Sequence, residues 1–128
     1  MTPEAAAFLF GALAAVVAAF QAALALGAPW GKLTWGGKYP GRLPASMRAA
    51  AVLSMALLMG FAVIVAVRAG VAGPEWQGAS KYLVWGVVGY CGLGVIANAI
   101  TPSRWERILW LPVVVAMLAC SLRVATGP

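Results

Sequence analysis

Four apolar runs divide the chain. Ala5–Gly31, Ala49–Val67, Tyr82–Ser103 and Ile108–Leu122 contain no charged residue. A helix that crosses a membrane needs roughly 20 apolar residues, within a range of about 17–25. The first three runs reach that length directly. The fourth reaches it when Trp105–Val124 is counted, with Arg107 and Arg123 extending their heads to opposite interfaces. Hydrocarbon offers no partner for backbone N–H and C=O groups, so runs of this length must be helical. They also lack the alternation of barrel strands. The pattern predicts an all-α membrane protein, one integral domain over 1–128. Its architecture is a four-transmembrane-helix bundle with helices near 4–26, 46–69, 81–101 and 104–124.

Local signals place the ends. Thr2-Pro3-Glu4 combines an N-cap, a proline suited to the first helical position and an acid at the positive end of the dipole. Gly27 and Pro29 close the first helix. The second opens near Pro44 or Ser46 and closes at Ala69, with Gly70 as C-cap. Val71–Lys81, with Gly73, Pro74 and Gly78, reads as a tight turn. Ser103 and Glu106 have capping-box spacing at the start of the fourth helix, and Pro112 is positioned to kink it.

In lipid, small residues let helix backbones approach closely. At 100° per residue, Gly11, Ala15, Ala18, Ala22 and Ala25 share one face of the first helix, which predicts a packing seam there. Leu9, Leu13, Val16, Val17, Phe20 and Leu24 fall opposite. Gly86, Gly89, Gly92 and Gly94 would each cost a soluble helix about 1 kcal/mol. Their density predicts that the third helix sits at the centre of the bundle.

Composition removes the soluble alternative. Residues are 63% hydrophobic and 9% charged, against about a quarter charged in soluble domains. Glu4 is the only charge before the first run, and that run is too long for a signal-peptide core, so it reads as a retained helix. The net charge of +6 lies in short clusters between apolar runs. That suits lipid headgroups and excludes the broad basic face that nucleic acid needs. Lys32, Lys38, Arg42, Arg48, Arg104 and Arg107 fall on one side, and Arg68, Lys81 and Arg123 on the other. The bias predicts the 27–48 loop and the 101–107 turn in the cytoplasm, with both termini outside, in a bacterial inner membrane.

The chain has no His, and its three acids are Glu4, Glu75 and Glu106. A triad, a carboxylate pair or a zinc site cannot be assembled from these residues. No catalytic residue, metal ligand or cofactor is expected, and the chain reads as a non-enzyme. Gly31-Lys32 lacks the glycine spacing and the Ser/Thr of a phosphate loop. Cys91 and Cys120 lie within apolar runs and read as small hydrophobes, with a disulfide between them left open.

Three sets of residues stand out as candidate sites. Gly27–Arg48 is a long interruption rich in Gly, Pro and Trp. Trp30, Trp35 and Tyr39 are interleaved with Lys32, Lys38, Arg42 and Arg48. Gly36–Gly37 could expose N–H groups as an anion nest. Together they could bind an anionic lipid head; the simpler reading is an aromatic belt with positive-inside charge. The loop is far longer than a plain connector of about 4–6 residues, and a re-entrant path is open to it. Second, Arg48 and Glu106 start helices on the same side and could pair; otherwise Glu106 only completes its capping box. Third, Gln21, Ser54, Asn98 and Ser121 are polar positions in or near the spans. They read either as interhelical hydrogen bonds or as the lining of a pathway.

Two passages carry a resemblance: GAPWGKLTWGGKYPGRLPASMR at 27–48 and NAITPSRWERILWLP at 98–112. They resemble a group of small four-helix bacterial membrane proteins with a Gly-x-Pro-x-Gly…Trp-Gly-Gly…Leu-Pro loop. The resemblance implies the membrane fold and brings no activity with it. The functional expectation is a non-catalytic membrane protein that works by helix packing, as an accessory or assembly module. Its partners would be the bilayer, an anionic lipid, and a homo-oligomer or larger membrane complex. The alternatives are an oligomeric channel or transporter for a small neutral or anionic solute, and a lipid-headgroup binder.

Overall fold

A computed structural model describes residues 1–127. Four long helices, α1 (Pro3–Ala25), α2 (Ala45–Arg68), α3 (Gln77–Ile100) and α4 (Arg104–Ala125), make up most of the chain. No strand occurs among the described residues, and all four helices are long and apolar enough to cross a membrane. Short 3-10 turns at Gly31–Leu33 and Trp35–Gly37 interrupt the α1–α2 connection, and another at Pro74–Trp76 leads into α3. The second connection is thus shorter than expected: Gln77–Lys81, read as part of the turn, is already helical.

Local chemistry accounts for the ends. Thr2 Oγ1 accepts from the Ala5 N–H at 3.1 Å, with Pro3 next and Glu4 in the first turn. At the C-terminus of α1, Gly27 takes φ 101°; its N–H bonds Leu24 O, and the Ala28 N–H bonds Ala23 O. Gly70, at φ 83°, repeats that Schellman arrangement after α2, with bonds from Gly70 to Val67 and from Val71 to Ala66. Pro102 ends α3 without such a motif. α4 runs unbroken through Pro112.

Each helix packs on its sequence neighbours, and α4 closes back on α1, so the bundle is a ring of four; diagonal contact between α2 and α4 is slight. The core is concentrated at one end. Phe10, Ala14, Leu58, Val65, Val84, Val87, Cys91, Met117, Cys120 and Val124 form one buried cluster at the end that holds the termini. Cys91 and Cys120 are both free thiols within it, and Ser121 lies against Cys91. A second, smaller cluster of Leu24, Leu43 and Ala51 lies at the loop end. The ring is therefore filled at one end and sparsely packed at the other.

Two expected packing seams are not where the sequence placed them. On α1 the buried line is Ala7, Phe10, Ala14 and Ala18, one residue away from the predicted face. Ala18 belongs to both. Ala15 is exposed, Ala22 is only partly covered, and a Cβ added to Gly11 would meet nothing within 4 Å. Alanine occurs on nearly every face of α1, so small size alone could not select the seam; Phe10, fully enclosed, selects it. On α3 the bundle-facing residues are Val84, Val87 and Cys91. A Cβ on Gly86, Gly89 or Gly92 would also meet nothing within 4 Å, so these glycines bring no helix of this chain close. α3 is the least covered of the four helices.

These placements give opposite expectations for two substitutions. Ala14→Leu adds bulk at a site with 0% exposure and should cost about 1–3 kcal/mol. Gly89→Ala enters open space, and removing a helix glycine should leave stability unchanged or raise it by up to about 1 kcal/mol. Unfolding in mixed detergent–SDS micelles, followed by circular dichroism, compares them; equal losses would contradict the assigned faces.

Candidate functional site: a roofed cavity at the loop end

The α1–α2 connection folds back on itself before it meets the rest of the protein. The Gly31 N–H donates to Gly41 O at 2.7 Å and closes the base of the loop. Only glycine fits at position 31, because a Cβ there would lie 1.8 Å from Tyr39 O. Leu43 tucks beneath, against Leu24 and Ala51. Arg48 Nε donates to Ala25 O at 2.9 Å, which places a cation at the negative end of α1. Trp35, Gly36 and Gly37 take φ 53°, 64° and 76° in succession. Trp35 is in a left-handed conformation that disfavours a bulky residue. The bonds that anchor the tip of the loop hold it there.

That tip is fastened to the α3–α4 turn. The Gly36 N–H donates to Glu106 Oε2 at 3.2 Å. Ser103 Oγ donates to Lys32 O at 2.8 Å and accepts from the Glu106 N–H at 3.2 Å. Trp110 Nε1 donates to Leu33 O at 3.0 Å. Gly36 and Gly37 lie against Pro102 and Ser103 closely enough that a Cβ on either would be 3.4 Å away. Phe20 joins the roof to the bundle, tilted on Trp110 at 4.6 Å between ring centres and parallel to Trp30 at 6.4 Å. The two passages that carry the sequence resemblance are thus in contact with each other.

Below this roof is a cavity of about 600 Å³. α1 contributes Val17, Phe20 and Gln21; α2 contributes Ala51 and Ser54. α3 contributes Tyr90, Ala97 and Asn98, and α4 contributes Glu106, Trp110 and Val114. The loop adds Leu33, Thr34, Trp35 and Gly36, and the α3–α4 turn adds Thr101 and Pro102. Gln21, Ser54 and Asn98, the polar positions singled out within the spans, therefore reach one space from three different helices. Asn98 Nδ2 donates to Gly94 O within its own helix at 2.8 Å and bridges to no other. Ser121 lies apart, in the opposite core, with its Oγ on Leu118 O. Thr34, Tyr90, Thr101 and Trp110 escaped the sequence reading. A Thr-Pro helix end gave some signal for Thr101; a Trp within an apolar run gave none.

Two site expectations change. Arg48 and Glu106 do not pair: the guanidinium caps α1, while the carboxylate holds Gly36. The capping box is half formed, since the Ser103 N–H bonds Thr101 Oγ1 at 3.2 Å and not the Glu106 side chain. The basic residues of the loop also do not converge. Lys32 Nζ lies 6.0 Å from the Trp105 ring centre and Lys38 Nζ 5.5 Å from that of Tyr39. Arg42 lies beside Gly27. The expected nest at Gly36–Gly37 is not formed: the Gly36 N–H donates to Glu106 Oε2 of the protein's own α4, and the Gly37 N–H donates to Thr34 O at 2.9 Å. Among the described residues no Lys or Arg lines the cavity. Among the described residues no three His, Cys, Asp or Glu side chains are grouped as a metal site would require.

No protein family, curated protein or solved structure matches the chain, so the use of the cavity has to be read from its walls. The roof itself is testable. Gly31→Ala should break the base of the loop and cost about 1–3 kcal/mol. Trypsin should then cut at Lys32 and Lys38 many times faster than in the parent protein. Gly41→Ala serves as a control for the left-handed φ of 83° at the same closure, since its Cβ meets nothing within 4 Å; equal protection of all three proteins would refute the clasp.

Proposed function

We propose that this chain is an integral membrane protein that holds a small, partly apolar solute in the loop-end cavity, as a binding protein, carrier or channel and without covalent chemistry. One observation carries the reading: polar side chains from three helices, Gln21, Ser54 and Asn98, turn toward the same roofed space. Interhelical glue would have paired them with one another. Pockets of roughly 300–1,000 Å³ with apolar walls and a few polar groups are the usual form of small-molecule sites. Absence of Lys and Arg from the wall argues against an anionic solute, and dispersal of the loop cations argues against a single headgroup site.

A second reading has its own support. The outward glycines of α3, Gly86 and Gly89, have room for a close helix partner. They favour an oligomer or a larger membrane complex, in which this chain would also act as an assembly module. The two readings are compatible.

The proposed setting is a bacterial plasma membrane, with the roof on the cytoplasmic side and both termini outside. Single cysteines placed at Lys38 and at Glu75, in a background with Cys91 and Cys120 replaced by Ala, report on this. An impermeant maleimide added to intact cells should label the Glu75 site alone; labelling of the Lys38 site alone would reverse the orientation.

Occupancy is tested by filling the cavity. Ala97 is exposed on its helix, so Ala97→Trp should leave the thermal midpoint in detergent unchanged while taking up space within the pocket. In lipid nanodiscs, the neutral dye N-phenyl-1-naphthylamine should show saturable fluorescence with the parent protein and a Kd weakened about tenfold or more in the variant. Identical titrations would remove the reading.

A further inference from the structure

We infer that the solute is an organic monocation, an ammonium or guanidinium carrying an apolar body, with Glu106 as its counter-charge. The inference rests on the solute-binding reading above and adds the chemical class.

Glu106 is 9% exposed and sits in the cavity wall. Its side chain has one hydrogen bond, from the Gly36 N–H to Oε2. The nearby cations are turned to other partners. Arg48 is bonded to Ala25 O, Arg107 Nη1 donates to Thr101 O at 2.8 Å, and Lys32 lies over Trp105. Among the described residues no Lys or Arg reaches the wall. Glu106 lies in the first turn of α4, where the helix dipole favours a negative charge, and it has one backbone donor and no ion-pair partner, so a cation in the cavity would find a carboxylate free to pair with it.

The walls select among cations. A bare metal ion needs several oxygen or nitrogen ligands at short range, and the described residues offer one carboxylate and no cluster. A hydrated ion would face mostly apolar lining. Phe20, Trp35, Tyr90 and Trp110 instead present aromatic surface around a space of about 600 Å³, which suits a weakly hydrated ammonium or guanidinium through cation–π attraction. Trp35, held at φ 53° with half its surface exposed, stands at the edge of that space.

The test uses three probes of one shape: phenyltrimethylammonium, its neutral isostere tert-butylbenzene, and the anion benzenesulfonate. Each is titrated into the protein in phosphatidylcholine nanodiscs by ligand-detected NMR, with empty nanodiscs subtracted. The cation should bind about tenfold or more tightly than the neutral isostere, and the anion more weakly than either. Glu106→Gln keeps an oxygen for the Gly36 N–H but loses the charge. It should erase the preference by weakening the cation about tenfold while leaving the neutral probe unchanged. Two results would overturn the inference: a neutral or anionic probe bound as tightly as the cation, or a cation Kd unmoved by the substitution. Should Glu106→Gln lose the neutral probe as well, the cavity has collapsed, and the parent protein's cation-to-neutral ratio decides alone. A neutral probe that binds and is expelled by Ala97→Trp leaves the cavity reading standing when the charge preference fails. Binding of no probe to the parent protein sinks both.

Discussion

An irregular stretch of backbone has no ladder of its own and must find its hydrogen-bond partners elsewhere in the protein or in solvent. The 26–44 connection is that stretch, and it dictates the arrangement of the loop end. Its base is closed by Gly31 on Gly41, and its tip is anchored by Ser103, Glu106 and Trp110. Those partners exist only where the α3–α4 turn comes under the loop. The loop is therefore bound to a position above the gap between the helices, and the gap becomes a cavity covered on that side. Glu106 has two places in consequence: its carboxyl group satisfies a glycine donor in the roof and forms part of the wall below.

The four helices were legible because their signals are redundant. Length, absence of charge, Thr2-Pro3, Gly27, Gly70 and Ser103 all agree, and agreement across local and global levels marks a consistent fold. Faces were harder to read. In α1, alanines surround the helix, and one enclosed aromatic, Phe10, determines which of them are buried. In α3 the glycines pointed to close packing, yet the helix turns its valines inward. Small residues permit contact without directing it.

The site was half legible. Gln21, Ser54, Asn98 and Glu106 drew notice as polar groups in an apolar chain. Their meeting was not readable, because it depends on how a ring of four helices closes and on a loop that covers one end. Arg48 and Glu106 looked like a pair from their positions alone. Backbone groups competed for both, and the competition was won by Ala25 O and the Gly36 N–H. A single chain of residues carries little information about rivals of that kind, since every position brings a carbonyl and almost every one an amide.

The uneven filling of the bundle has a consequence for how such a protein can change. Cohesion resides with Phe10, Val65, Val84 and Met117, at the end remote from the cavity. Replacements at Ala97 or Gln21 alter the walls of a space that contributes little to holding the helices together. One end of the molecule can therefore stay constant as an anchor while the wall residues at the other drift, without the chain passing through an unstable ancestor.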